Sequence, residues 1–336
     1  MYCRNIIYTN APLLKAYRYK EVFQLVPIFY ASNAPFSYYA DHFPAFLEYK
    51  INDTMNEELI CEDMLRENGI SEDAIKKGRL LPQQSRIRRE ILYLLSSLTN
   101  FHFFEYTTGE DCWGIQTPMQ NIIELSADER EELNNQTSHW TIRCYSYPTL
   151  KEDLLISDFT NCTSYYEDAE DPIFYYTNNP HLEGNTEIKM PLYLGVVLDR
   201  YFSMGDNDRN WVRQCIGLLN DGIDLFDRKR SVSLLSIISS IEGMALLDYK
   251  KNGKAKGLGP KSRFLRYLRT YVAGKSEEKF KRYYERRCEI THEGVLFLGD
   301  IDIFSDTQYQ NGDWLLRLEI MQVARMALYN WLRRKI

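Results

Sequence analysis

Histidine is scarce in this chain, with five copies in 336 residues, and His102, His139 and His181 each stand without a partner at metal-ligand spacing. The seven cysteines are an odd number, widely scattered and without a CxxC pair. That pattern gives no disulfide frame and no zinc site, and points to reduced thiols and a cytoplasmic protein with no metal and no cofactor. Three N-x-T matches, at Asn52, Asn135 and Asn161, then carry no meaning, because glycosylation needs secretion. The first twenty residues lack the continuous apolar core of a signal peptide. No run reaches the ~18 apolar residues of a membrane span, so no membrane contact is expected. Glycines Gly253, Gly257 and Gly259 give neither GxGxxG nor GxxxxGK[ST], which excludes a P-loop. No internal repeat is visible.

What is present is ordinary in bulk and uneven in distribution. Apolar residues make up 44% and charged residues 26%, enough for a folded core, and 25 tyrosines help lift the aromatic share to 14%. Residues 1–190 hold 29 Asp+Glu against 16 Lys+Arg, a net of −13, whereas residues 191–336 hold 18 against 25, a net of +7. An acidic half and a basic half suggest two domains: an acidic, aromatic-rich sensor or regulatory domain over 1–190 and a second domain over 191–336 that carries any nucleic-acid contact.

The texture along the chain agrees with an α+β protein in which a mixed N-terminal region precedes an all-helical C-terminal one. Residues 1–50 read as short strands and turns. Residues 56–77 favour helix, broken near Asn68-Gly69 and restarted by Ser71 as N-cap. A separate helix is expected from Pro82 to Leu98, and its early Arg86, Arg88 and Arg89 oppose the helix dipole, so they should face a partner or an acidic neighbour. Strands are expected at 101–106, 112–116, 140–147 and 173–176. From residue 191 helices dominate: 207–226 carries an i, i+3/i+4 apolar stripe, the helix opened near Ser231 is apolar on most sides, and 313–335 closes the chain with an apolar face. Glu242 lies inside the apolar helix and calls for a cationic partner, unless it faces outward. Residues 250–282 hold 12 Lys+Arg against Glu277 and Glu278 alone, and Lys261, Arg263 and Arg266 there read as a phosphate-tracking surface or as a solvated helix face.

The chemistry-bearing stretch is Tyr283-Tyr284-Glu285-Arg286-Arg287-Cys288-Glu289-Ile290-Thr291-His292-Glu293-Gly294. It is the one place where arginines, a histidine and a helix-ending glycine meet. At ~100° per residue, Arg287 lies about 140° and Arg286 about 120° around an α-helix from His292. Neither is a stacked pair, and phase leaves both arginines open as the working one. A fixed cation and a group that titrates near neutrality are a minimal kit for phosphodiester cleavage.

This arrangement resembles the HEPN superfamily, helical-bundle domains with an R-x4–6-H motif at a helix end. Tyr284 to Gly294 looks like the Y-x-x-R-S/N-x-I/L-x-H-G segment of the ApeA-like subgroup, and residues 236–247 around Glu242 look like that subgroup's preceding helix. The resemblance covers about residues 195–336, and the family's spacing selects Arg287. It implies a metal-independent endoribonuclease, a toxin or antiviral defence effector, that dimerises so that two motifs share one cleft. Arg287 would bind the phosphate in its transition state. His292 would assist 2′-hydroxyl attack or protonate the leaving 5′-oxygen. Arg286, Lys261, Arg263 and Arg266 would bind RNA, with Glu242 and Cys288 in support. Two positions depart from the pattern: Cys288 replaces a polar residue, and Glu293 displaces the glycine after the histidine.

Three functions remain in competition. One is an RNase effector that a trigger or inhibitor controls through the N-terminal domain. Another is a non-catalytic module that binds a nucleotide, RNA or protein, which Cys288 and Glu293 favour. The last is a plain dimerisation domain, which the basic run disfavours.

Overall fold

A computed structural model describes residues 1–28, 43–51, 62–105, 153–166, 171–177, 187–252, 257–301 and 312–334. The chain divides into two compact units, one of residues 1–92, 103–167 and 186–188, the other of 93–102, 168–185 and 189–336. The sequence places one boundary near 190, whereas the second unit also takes in 93–102 and 168–185.

The first unit is built on an antiparallel sheet of six strands: β1 (Tyr2–Thr9), β2 (Tyr17–Tyr19), β3 (Phe23–Pro27), β4 (Phe43–Lys50), β5 (Phe103–Phe104) and β6 (Asp153–Ile156). The order is β2-β3-β4-β1-β5, and β6 also pairs with β1. Along one edge β1 runs in register with β4, from Tyr2 opposite Lys50 to Thr9 opposite Phe43. Its other edge is shared: β6 pairs with Tyr2–Asn5 and β5 with Tyr8–Thr9. β3 is buried throughout, as its sequence FQLVP, apolar but for Gln24, allows. Strands in the first fifty residues are therefore present, and β1 and β4 reach eight residues each.

One polar row crosses this apolar sheet. The register sets both Arg4 and Gln24 opposite Glu48, whose side chain is fully buried. The Glu48 carboxylate accepts from Arg4 Nε at 2.8 Å, Gln24 Nε2 at 3.3 Å, Thr160 N–H at 2.8 Å and Thr160 Oγ1 at 2.5 Å. Four donors, one of them a guanidinium, offset the cost of taking a carboxylate out of water.

Helix α1 (Glu62–Glu67) ends before Gly69, which takes a positive φ of 77° where the sequence predicts a break. Helix α2 (Glu72–Leu98) then runs for 27 residues with Pro82 inside it. The sequence predicts two helices here, and the structure joins them. Straight-chain helix formers flank Pro82 on both sides, and they carry the helix past the one hydrogen bond that proline cannot make. Tyr49 gives its hydroxyl proton to Asn5 Oδ1 at 2.7 Å, and the Gln84 carbonyl of α2 lies 3.4 Å from the same hydroxyl. Arg88 pairs with Glu105, so one of the early arginines has the acidic neighbour expected of it. The strand expected at 101–106 is reduced to β5, while those at 112–116 and 140–147 lie outside the described residues.

The second unit is mostly helical. Residues 173–176, expected as a strand, lie in helix α3 (Pro172–Thr177). The reason is local: Asp171 Oδ1 accepts from Ile173 N–H at 2.9 Å, and Pro172 pre-sets the first helical φ. There follow α4 (Leu194–Phe202), α5 (Asp206–Asp224), α6 (Arg230–Asn252), α7 (Pro260–Tyr271), α8 (Glu277–Cys288), α9 (Leu298–Ile301) and α10 (Gly312–Arg333).

Helix α6 is long and apolar enough by composition to cross a membrane, yet Leu234, Ile237, Ile238 and Ile241 are buried among the other helices. It touches α5 so closely that only small residues fit. A Cβ on Gly222 would come within 2.5 Å of Ile237, and one on Gly243 within 2.6 Å of Cys215. Ser233 and Ser240 donate to the carbonyls of Gly222 and Cys215, both at 2.6 Å. At its N-terminus, Asp300 accepts from the N–H groups of Arg230 and Ser231 at 2.9 and 2.6 Å. Nearer the C-terminus the buried Asp248 accepts from Tyr271, Asn252 and Trp331 at 2.8, 3.0 and 3.2 Å. On α10, Arg325 is buried and donates to the carbonyls of Ser96 at 2.9 Å and Phe101 at 3.5 Å. The molecule is thus an N-terminal antiparallel sheet followed by a mostly helical C-terminal part, an α+β layout.

Candidate functional site

The site is built at the end of α8. Ser276 caps that helix by accepting from Lys279 N–H at 3.4 Å, Glu277 and Glu278 occupy its first turn, and Phe280, Tyr283 and Tyr284 face inward. Past Cys288 the helix widens into a π turn over Glu289–Glu293. The Gly294 N–H returns to the Glu289 carbonyl, and Gly294 closes the turn at φ 70°. Glycine takes this left-handed conformation without the steric cost a Cβ would add. Thr291 Oγ1 donates back to the Arg287 carbonyl at 2.8 Å and braces the turn.

The π turn is what makes the motif a site. Its i→i+5 pattern brings residues five apart into one another's path, which α-helical phase does not. Arg287 Nη1 lies 3.4 Å from His292 Nε2. Arginine can only donate, so a hydrogen bond here needs Nε2 as acceptor and the ring proton on Nδ1. The second Arg287 nitrogen, Nη2, lies 3.7 Å from Glu242 Oε2 on α6, and the guanidinium sits over the Tyr284 ring at 5.8 Å from its centroid. Glu242 therefore has the cationic partner its position called for. Its side chain is 22% exposed and that of Arg287 27%, so both can still meet a ligand. His292, Glu293 and Thr291 are exposed.

Tyr284 is the shared platform beneath this group. Lys261, from the first turn of α7, lies over the same ring at 6.0 Å and pairs with Glu285 at 3.3 Å. Burial, then the Glu242 charge, pushes the Tyr284 hydroxyl above the usual phenol range, so it stays protonated at neutral pH.

The other expected residues are placed differently. Arg286 turns away from His292: it pairs with Glu289 at 2.7 Å and stacks on Phe297 at 4.5 Å, with its Nε buried and unpartnered. Arg263 lies over Tyr249 at 5.7 Å, and Arg266 donates to the Asn252 carbonyl at 3.3 Å, so both face the C-terminal end of α6. Cys288 is a free, half-buried thiol where the helix changes pitch. The sequence marked Arg287, His292 and Glu242. It missed Thr291 and Glu285, which act through contacts that no motif spells out. The π turn itself had one local signal, two β-branched residues shortly before a glycine.

Among the described residues no three His, Cys, Asp or Glu side chains gather as a metal-holding group. Chemically, the site offers one guanidinium steadied by a carboxylate and an exposed imidazole within its reach. The chain matches no protein family model, and no curated protein or solved structure matches it.

Proposed function

We propose that the helical part is a metal-independent endoribonuclease of HEPN type, working in the cytoplasm as a toxin or antiviral defence effector. The observation that carries this reading is the Arg287–His292 approach at 3.4 Å on an exposed, widened helix end. Arg287 would bind a non-bridging phosphate oxygen, where charge accumulates as the reaction proceeds. His292 would accept the proton of the ribose 2′-hydroxyl as its oxygen bonds to phosphorus. The bond from phosphorus to the 5′-oxygen then breaks, and that oxygen takes a proton. The products are a 2′,3′-cyclic phosphate and a free 5′-hydroxyl. Two copies of the chain would set two such motifs on one RNA, the second supplying the leaving-group proton. The acidic N-terminal part would receive a trigger or restrain the activity.

A second reading is a module that binds a nucleotide, RNA or protein without cutting. Exposed Glu293, beside the phosphate position, favours it. The deciding experiment incubates total RNA in EDTA with wild type and with Arg286→Ala, Arg287→Ala and His292→Ala. Cyclic-phosphate ends from wild type and Arg286→Ala, with a loss of about 100-fold or more in the other two, is the expected outcome. Retained cleavage by His292→Ala would overturn the mechanism, and silence from wild type would favour the binding module.

A further inference from the structure

A second cationic feature lies in the helical unit, away from the motif. A cleft of about 580 Å³ opens where α7 and α10 both end, lined by Arg269, Tyr271, Asn330, Arg333, Arg334 and the apolar side chain of Ile173 on α3, among others. It is open to solvent rather than enclosed, so a ligand would lie along it.

Cations are concentrated there on two helix ends. Two helix C-termini at about half a negative charge each amount to roughly one unit. Three guanidiniums face them. One, Arg269, is paired with Glu277. Asp248 stands behind the Tyr271 hydroxyl, which donates to it at 2.8 Å, while none of the described lining residues is itself a carboxylate. The other two arginines rest on aromatic rings, Arg333 over Tyr193 at 4.8 Å and Arg334 over Tyr271 at 5.7 Å. Stacking of this kind holds the guanidinium plane while leaving its edge for a planar anion. Arg333 and Arg334 are exposed. Asn330 anchors the floor by donating to the Tyr271 carbonyl at 2.7 Å, and Ile173 supplies an apolar wall beside the cations. Arginine edges beside an apolar wall suit a phosphate joined to a flat heterocycle.

Helix α7 connects this cleft to the motif. Lys261 at its start shares the Tyr284 ring with Arg287, and Arg269 near its end lines the cleft. The eight-residue step from one to the other spans about 12 Å of helix.

We infer that this cleft binds a phosphorylated nucleotide through Arg333 and Arg334. The choice of RNA as the source of that nucleotide rests on the function proposed above, whereas the recognition chemistry does not. A unit of the RNA chain and a free nucleotide present the same group, and the test separates them.

The probe is a fluorescently labelled ten-nucleotide single-stranded RNA, bound to the full-length chain and followed by anisotropy, with AMP and adenosine as competitors. The double variant R333A/R334A is expected to bind the RNA at least 10-fold more weakly. The slope of log affinity against log salt should fall by about 1.4, since each phosphate neutralised on a single strand accounts for roughly 0.7 and the variant neutralises two fewer. Adenosine should not compete. AMP competing as well as a longer chain identifies a free-nucleotide site, and competition by RNA alone identifies a substrate subsite. Equal binding by wild type and double variant overturns the inference, as does binding by neither. Both variant sites are exposed at a helix end, and a circular dichroism melt confirms that the double variant folds. The two readings fail separately. Binding that depends on Arg333 and Arg334 without any cleavage removes the nuclease and leaves the cleft. Cleavage and binding indifferent to the double variant do the reverse.

Discussion

Arg287 and His292, five residues apart on one chain segment, face each other at 3.4 Å because the helix between them changes pitch. On a regular α-helix the pair would diverge by about 140°. The approach of the two side chains is thus a property of one turn, which Gly294 closes.

Replacing Gly294 tests this. A Cβ there meets nothing within 4 Å, so the cost comes from the positive φ of 70° alone. Gly294→Ala should destabilise the protein by about 1–2 kcal/mol. The π turn should relax, and RNA cleavage should fall well beyond what the fraction unfolded explains. Urea titration alongside the cleavage assay separates the two effects. Full activity would show that the turn does not need this glycine.

The crossing of α5 and α6 allows no added bulk. Gly222→Ala puts a methyl group within 2.5 Å of Ile237 and 3.0 Å of the Ser233 carbonyl. Overpacking of this kind costs about 1–3 kcal/mol. A lowered urea midpoint with an unchanged slope is expected, and a neutral result would mean the helices separate freely.

In the sheet, Glu48→Ala would leave Arg4 half-buried without its carboxylate and strand the Thr160 N–H. Breaking a buried pair from one side costs about 3–5 kcal/mol. Glu48→Ala with Arg4→Leu should recover part of that loss, because the remaining charge is then gone. A double-mutant cycle measured by chemical denaturation gives the coupling.

Glu319 on α10 gives a pH signature. Burial alone would raise its pKa, but the Lys279 hydrogen bond at 2.8 Å, together with the Lys275 and Lys279 charges, holds it below the usual glutamate range. A folded pKa below the unfolded value of ~4.3 means the folded state holds the proton less tightly. The stabilisation is therefore complete above the unfolded pKa and is lost as pH falls through the folded one. Stability of wild type minus Glu319→Gln, measured from about pH 7 down to about pH 3, should shrink over that acid range. A flat difference would show that the lysines do not act on Glu319.

How much of this was legible depended on whether the signal was local. The stripe of α5, the all-round apolar α6 and the face of α10 came from periodicity, which burial rewards directly, whereas the strands of residues 1–50 came from aromatic content with little regular period. Glu242 was legible as a carboxylate needing a cation, and its partner is Arg287. The α3 segment Ile173–Tyr176 misled because its aromatic and β-branched residues favour strands, while Asp171 and Pro172 just before it open a helix. Pro82 misled because a proline costs one hydrogen bond, which a 27-residue helix absorbs. The π turn, the separation of Arg286 from His292 and the arginine cleft were out of reach. Each rests on side chains from different elements, and spacing along the chain does not encode their meeting.

Helix α6 carries opposite charges at its two ends. Asp300 places a carboxylate on its N-terminal amides, while Arg263 and Arg266 lie at its C-terminal end. Both arrangements oppose the helix's own dipole and stabilise it. The end a phosphate would ordinarily seek, the free N–H groups of a helix start, is already filled by an internal anion. The start of this unit's central helix is thus closed to outside anions by a carboxylate of the chain itself.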